Sequence, residues 1–123
     1  MGKHLRLVND LNDDRGTTLV FTDGERDYLL IYTRKGYLRG GEMHTGAQYN
    51  SVLNGLIKWD VPGSTTILSS ATTHVTPKEV PHIMESLTDS LMVEWRENPL
   101  ENPVNYYEPY RSLVRKRIME KKS

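Results

Sequence analysis

The sequence contains no cysteine among its 123 residues. Neither a disulfide framework nor a thiolate metal site is therefore possible in this chain. The sequence also lacks an apolar run approaching the roughly 20 residues that a membrane helix needs, and the N-terminus shows no apolar segment of the signal-peptide kind. These absences predict a cytoplasmic protein that has no membrane partner.

Charge of one sign is not in excess, because 16 lysines and arginines balance 16 aspartates and glutamates. Proteins that bind nucleic acid usually carry a basic excess or a basic stripe. The basic cluster in the segment 115–122 falls at the end of a predicted helix, where cations are favourable. We therefore predict no nucleic-acid partner.

Several catalytic motifs are missing as well. The chain has no G-x-G-x-x-G, no phosphate-binding P-loop and no serine-centred nucleophile elbow. These gaps argue against dinucleotide-dependent oxidoreduction, P-loop phosphoryl transfer and serine hydrolysis.

The chain does contain many short apolar or β-branched segments, which are separated by turn residues. Short strands at regular spacing are typical of a β-sandwich or β-barrel. The predicted strands are 17–22, 28–33, 49–53, 56–61, 64–69, 74–75, 80–87 and 90–95. Between two of them, Asn54-Gly55 predicts a tight hairpin turn.

The C-terminal segment has a different pattern. Pro109 suits the first turn of a helix, and good helix formers follow it, so we predict a helix over about 109–121. The apolar stripe of this helix is predicted to comprise Leu113, Val114, Arg117, Ile118 and Met119. The whole chain, 1–123, is thus predicted to be one all-β domain, an antiparallel barrel with a C-terminal α-helix on its outside.

A polar group of side chains interrupts the apolar pattern. Alternation along a strand places Glu42 and His44 on one face, and the short turn 45–47 returns Gln48 beside them. A carboxylate, an imidazole and an amide are costly to bury unless they satisfy each other or bind something. His82, at the start of another strand, is the second candidate imidazole.

The stretch 41–55 resembles the first motif of the cupin superfamily, in which glycine is followed by His-x-His, three or four residues, Glu, six residues and Gly. Glu42 and His44 stand at the two His positions, Gln48 stands at the Glu position, and Gly55 closes the motif. The spacing matches, whereas two of the three ligand types differ.

The stretch 77–86 resembles the second cupin motif, Pro-x-x-x-x-His, through Pro77 and His82, with Ser86 at the position of a final Asn. The segment 106–111 is similar to the tail of small cupins with an acidic-x-His-x-x-x-Gln first motif. The resemblance implies a jelly-roll-like cupin barrel, and it implies a homodimer that pairs through an outer sheet.

The resemblance also implies a divalent metal, since cupins usually hold one with three imidazoles and a carboxylate. Here the ligands would be Glu42, His44, His82 and, more weakly, Gln48. Two imidazoles and one carboxylate suit iron(II), and the same donors accept zinc, nickel or manganese. A metal-free, hydrogen-bonded polar cluster of the same residues remains the alternative.

Arg39 precedes Gly40-Gly41, and an Arg-Gly pair at this place resembles cupin-type nucleotide-sugar ketoisomerases and epimerases. Arg39 would then bind a phosphate or carboxylate of the substrate through paired hydrogen bonds. Equally open is a surface or interface arginine paired with an acid.

Three functions follow from this pattern. The first is a metal-binding cupin enzyme that acts on a small polar molecule, such as a sugar or an organic acid. The second is a metal-free nucleotide-sugar isomerase or epimerase, in which His44 or His82 moves a proton and Glu42 tunes it. The third is a non-catalytic cupin that binds a small ligand, so the sequence leaves open whether the protein is an enzyme.

Overall fold

A computed structural model describes residues 4–98 and 105–122. The described elements are β1 (Arg6–Asp13), β2 (Gly16–Thr22), β3 (Asp27–Thr33), β4 (Leu38–Met43), β5 (Gln48–Asn54), β6 (Ile57–Val61), β7 (Ser64–Leu68), β8 (Thr73–Thr76), β9 (His82–Ser86), β10 (Ser90–Arg96), β11 (Asn105–Tyr106) and α1 (Glu108–Lys122). The antiparallel β architecture and the C-terminal helix confirm the predicted fold class.

The strands form two antiparallel sheets. The first sheet has the order β1-β2-β3-β10-β5-β8, and the second has the order β11-β4-β9-β6-β7. Within the described residues the two sheets are not hydrogen-bonded into a closed barrel. Chain segments cross repeatedly between the sheets, as in a jelly roll.

The hydrophobic core lies between the two sheets and draws side chains from both. Its buried members are Ile31, Val52, Ile57, Trp59, Leu68, Met84 and Met92. Full burial of one aliphatic side chain contributes about 1.5–3 kcal/mol to folding. This core occupies one part of the space between the sheets, and polar side chains line the rest.

Helix α1 packs on the outer face of the second sheet. Val114 is buried there against Leu38 and Ile83, and Tyr110 and Ile118 flank it. The predicted stripe was therefore partly wrong, since Leu113 and Met119 are 47% and 65% exposed. Residues spaced by four stay on one helix face, whereas these two point to either side of it.

No helix in the described parts of the chain is long and apolar enough to cross a membrane.

The predicted hairpin at Asn54-Gly55 is wrong. Strand β5 pairs with β10 and β8, whereas β6 pairs with β7 and β9, so the turn carries the chain from one sheet to the other. Gly55 has a φ of 97°, and a Cβ there would lie 2.5 Å from the carbonyl oxygen of Asp89. The glycine is therefore needed for a close backbone approach as well as for the turn.

Strand β1 was not predicted from the sequence, because its apolar residues do not alternate regularly. It pairs with β2 through a bulge between Leu7 and Asn9, and all eight of its residues are exposed. Leu7, Val8 and Leu11 are each at least 50% exposed on this edge strand. The expected homodimer, which would cover such an edge, stays a prediction.

Candidate metal centre

A cavity of about 270 Å³ lies between the two sheets. Four of the five predicted site residues line it, namely Arg39, Glu42, Gln48 and His82. His44 lies directly beside it, with its ring centroid 5.3 Å from that of His82. The fold thus brings together all five residues that the sequence singled out.

Gly40-Gly41 places Arg39 and Glu42 on the same face of β4. In a regular strand, residues three apart point to opposite faces. Here Gly40 pairs with Ile83 and Glu42 pairs with His82, so Gly41 is an extra residue in a bulge. The φ angles of 113° at Gly40 and 87° at Gly41 are ones that favour glycine. Two adjacent glycines within a strand are the sequence signal that could have predicted this bulge.

Glu42 and His44 face each other at the end of β4. The distance between Glu42 Oε2 and His44 Nε2 is 3.6 Å, which exceeds an ordinary hydrogen bond. His44 is buried, while the Glu42 side chain is 28% exposed. A carboxylate and an imidazole in these positions can bind the same ion, or can exchange a proton after a small movement.

The ring of His82 is held in one orientation. Its Nδ1 lies 3.2 Å from the carbonyl oxygen of Val80, and its ring stacks on Trp59 with centroids 5.5 Å apart. A proton on Nδ1 donates to that carbonyl, so Nε2 keeps its lone pair. Burial lowers the pKa of His82 below its usual range, which keeps the imidazole neutral.

Gln48 is almost completely buried, and its amide nitrogen is fixed. Nε2 donates to Asn50 Oδ1 at 2.8 Å and to Glu94 Oε1 at 3.2 Å. Both partners are acceptors, which sets the orientation of the amide. Within the described residues Gln48 Oε1 has no hydrogen-bond partner. A buried carbonyl left in this way costs about 1–3 kcal/mol, so this oxygen is suited to a ligand.

Glu94 and Arg96 form a buried ion pair below these residues. Arg96 Nη2 donates to Glu94 Oε2 at 2.8 Å and lies 3.6 Å from Glu42 Oε2. Glu94 is buried and lines the cavity, so this face of β10 points into the interior. Asn50 and Arg96 were missed, although alternation from Gln48 and from Glu94 places them on the same faces.

Arg39 is largely buried and bonds to neutral groups. Its Nε donates to Thr33 Oγ1 at 2.7 Å, and its Nη2 donates to the carbonyl oxygen of Tyr32 at 3.1 Å. Burial, together with the neighbouring Arg15 guanidinium, lowers the pKa of Arg39 to about 10. Among the residues that the structure describes, Arg39 forms no ion pair, although the carboxylates of Asp13 and Glu94 act to raise its pKa.

The donors fit a divalent metal in type. Two imidazoles, one carboxylate and one amide oxygen form a mixed nitrogen and oxygen set. Across residues 4–98 and 105–122, however, no three His, Asp or Glu side chains are already arranged as a metal shell. Coordination would therefore use Gln48 Oε1 as a donor beside His44, His82 and Glu42.

A second cavity, of about 450 Å³, lies between the β2–β3 turn and the end of β10. It is larger, but none of the predicted site residues line it. Its walls include charged side chains of the turn, such as Glu25 and Arg26. The smaller cavity is the better candidate site because its buried polar groups converge there.

The free energy of unfolding should fall as the pH is lowered from about 7 to about 5.5. Burial lowers the pKa values of His82 and His74 in the folded chain, whereas unfolded histidines titrate near the ordinary value of about 6.5. The unfolded state therefore binds more protons in this range, and stability present above that value is lost as the pH falls. Urea titrations at each pH measure the slope.

The substitution His82→Gln should flatten this pH dependence, since it removes one of the two histidines whose pKa is lowered by burial. The matched control is His4→Gln, at an exposed position outside the cavity. If the free energy of unfolding of the wild-type protein stayed constant or rose toward pH 5.5, the assignment of lowered histidine pKa values would be contradicted.

The proteins that this chain resembles were found by comparing structures rather than sequences. No protein-family model matches the chain, and no curated protein sequence matches it. An RmlC-like cupin from Shewanella frigidimarina shares 18% identity over 73% of this chain and 84% of that chain, with a TM-score of 0.62. Ectoine synthase from P. lautus shares 14% identity over 74% and 70%, with a TM-score of 0.66. KdgF from Halomonas sp. shares 14% identity over 74% and 89%, with a TM-score of 0.64.

These similarities establish the fold. The chain has the cupin fold, as the two motif-like stretches around Glu42 and His82 indicated. Sequence identities this low do not transfer an activity, so the function must be argued from the cavity itself.

Proposed function

We propose that the protein is a metal-binding cupin that acts on a small polar molecule such as a sugar or an organic acid. The observation that carries the proposal is Gln48 Oε1, a buried oxygen without a hydrogen-bond partner among the described residues, on the wall of a cavity shared with His82. A bound ion or ligand would supply the missing interaction. A cytoplasmic location and a homodimer belong to the same proposal.

Each side chain has a role in this proposal. His44, His82 and Glu42 would hold the metal, and Gln48 would be a weaker fourth donor. When bound, a divalent metal polarises an oxygen of the substrate. Arg39 can orient the polar end of the molecule.

A metal-free proton-transfer enzyme of the isomerase or epimerase type is the second candidate. The neutral His82, with its Nε2 lone pair, favours it because such a group can accept a proton next to a carbonyl. Non-catalytic binding of a small ligand in the same cavity is the third possibility. Metal content separates the first candidate from the other two.

Reconstitution with iron(II), zinc, nickel or manganese should leave about one ion per chain after the excess is removed, because one cavity offers one set of donors. Elemental analysis of the full-length protein measures this ratio. If the protein retained none of the four metals, the metal-binding function would be ruled out and the two metal-free candidates would remain.

A further inference from the structure

The cavity carries an excess of positive charge on its walls. Four arginines and two glutamates line it, namely Arg15, Arg39, Arg96 and Arg111 with Glu42 and Glu94. Arg96 is neutralised by Glu94 at 2.8 Å, and Arg15 is neutralised by Asp13 at 2.7 Å. Among the described residues, no carboxylate lies within 4.0 Å of Arg39 or Arg111.

Arg111 is held in place although it has no acidic partner within residues 4–98 and 105–122. It lies on the first turns of α1, its Nη1 donates to the carbonyl oxygen of Gly40 at 2.7 Å, and its guanidinium lies 5.1 Å from the ring centroid of Tyr106. A Cβ at Gly41 would lie 2.6 Å from Arg111 Cδ and 2.9 Å from its backbone nitrogen. The glycine bulge in β4 therefore lets the helix bring this guanidinium against the cavity.

Both guanidinium groups keep donors for a ligand. A guanidinium has five N–H donors in a planar fork that matches an oxyanion. Arg39 donates to two neutral oxygens, and Arg111 donates to one. Nearby, Arg96 Nε is buried without a hydrogen-bond partner in the part of the chain that the structure describes. Arg39 and Arg111 are partly buried cations that contact no carboxylate among the described residues, which favours an anion in this space.

We infer that Arg39 and Arg111 form an oxyanion-binding subsite, which takes the carboxylate or phosphate group of a small anionic substrate. The inference rests on the proposed function and narrows its substrate class, since a neutral sugar would bring no charge to the two guanidinium groups. The anionic group occupies the Arg39–Arg111 part of the cavity, and the rest of the molecule extends toward Gln48 and His82.

The test uses the full-length protein after treatment with a chelator, so that a failure of metal binding does not affect it. Calorimetric titrations with succinate, inorganic phosphate and the neutral analogue succinamide compare the ligands. Succinate or phosphate should bind, succinamide should not, and the preferred anion distinguishes a carboxylate substrate from a phosphorylated one. Arg39→Gln and Arg111→Gln should each weaken the binding of that anion by about tenfold or more.

The control variant is Arg6→Gln, which removes an exposed arginine outside the cavity and should leave the affinity unchanged. In case a cavity variant does not fold, the Nε–Hε resonances of Arg39 and Arg111 in the wild-type protein should shift on titration with the anion. Equal binding of succinate and succinamide, no binding of either anion, or equal losses in Arg6→Gln would overturn the inference.

Discussion

The affinity for a divalent metal should fall by more than about 100-fold in the variant His82→Ala, because this change removes a ligand rather than an outer partner. The Nδ1 contact with Val80 and the stack on Trp59 hold this imidazole with Nε2 as the available donor. Competition against a coloured chelator measures the affinity. Gln48→Ala should cost only about tenfold, since an amide oxygen is a weak ligand.

The matched control for His82→Ala is His74→Ala. His74 also packs against Trp59, with ring centroids 5.5 Å apart, but it does not line the cavity. Its removal should leave the metal affinity within about twofold, because it offers no donor to the site. Equal losses in the two variants would show that packing around Trp59, and not coordination, controls the affinity.

The free energy of unfolding should fall by about 3–5 kcal/mol in the variant Glu94→Ala. Glu94 accepts hydrogen bonds from Gln48, Asn50 and Arg96, all of which would be left without this partner. The side chains of Arg96 and Glu94 are only 11% and 10% exposed, so water does not readily replace the lost carboxylate. Urea denaturation at neutral pH measures the change.

An exposed ion pair provides the comparison for Glu94→Ala. Glu108 pairs with Arg115 on α1, where both side chains are more than half exposed. Glu108→Ala should therefore cost less than about 1 kcal/mol. A loss in Glu94→Ala no larger than this control would mean that the buried pair does not hold the polar side of the interior together.

Part of the site could be predicted from local pattern. Glu42 and His44 share a face because strands alternate, and Gln48 returns to them after a short turn. His82 could not be placed beside them by alternation, since it arrives from a distant strand. Its position came from the spacing of the second motif-like stretch, and the structure brings it to 5.3 Å from His44 between ring centroids.

Other parts depend on contacts between distant segments, which no local pattern contains. The bulge at Gly40-Gly41 turns the side chain of Arg39 to the same face of β4 as Glu42. Arg111 reaches the cavity from a helix that was predicted only to pack on the outside of the barrel. Likewise, Asn54-Gly55 has the composition of a hairpin turn but connects two sheets. A turn dipeptide fixes the local reversal of the chain, whereas strand pairing is decided by the packing of the whole core.

The position of a bound metal tests the central claim most directly. Crystals of the full-length protein grown with manganese or zinc would be measured at the absorption edge of that metal. We expect one anomalous peak in the cavity, at about 2.1 Å from one nitrogen of His44 and one of His82, with Glu42 and Gln48 oxygens completing the shell. A peak bound elsewhere, such as at exposed His4, or no peak in a crystal that contains the metal, would contradict it.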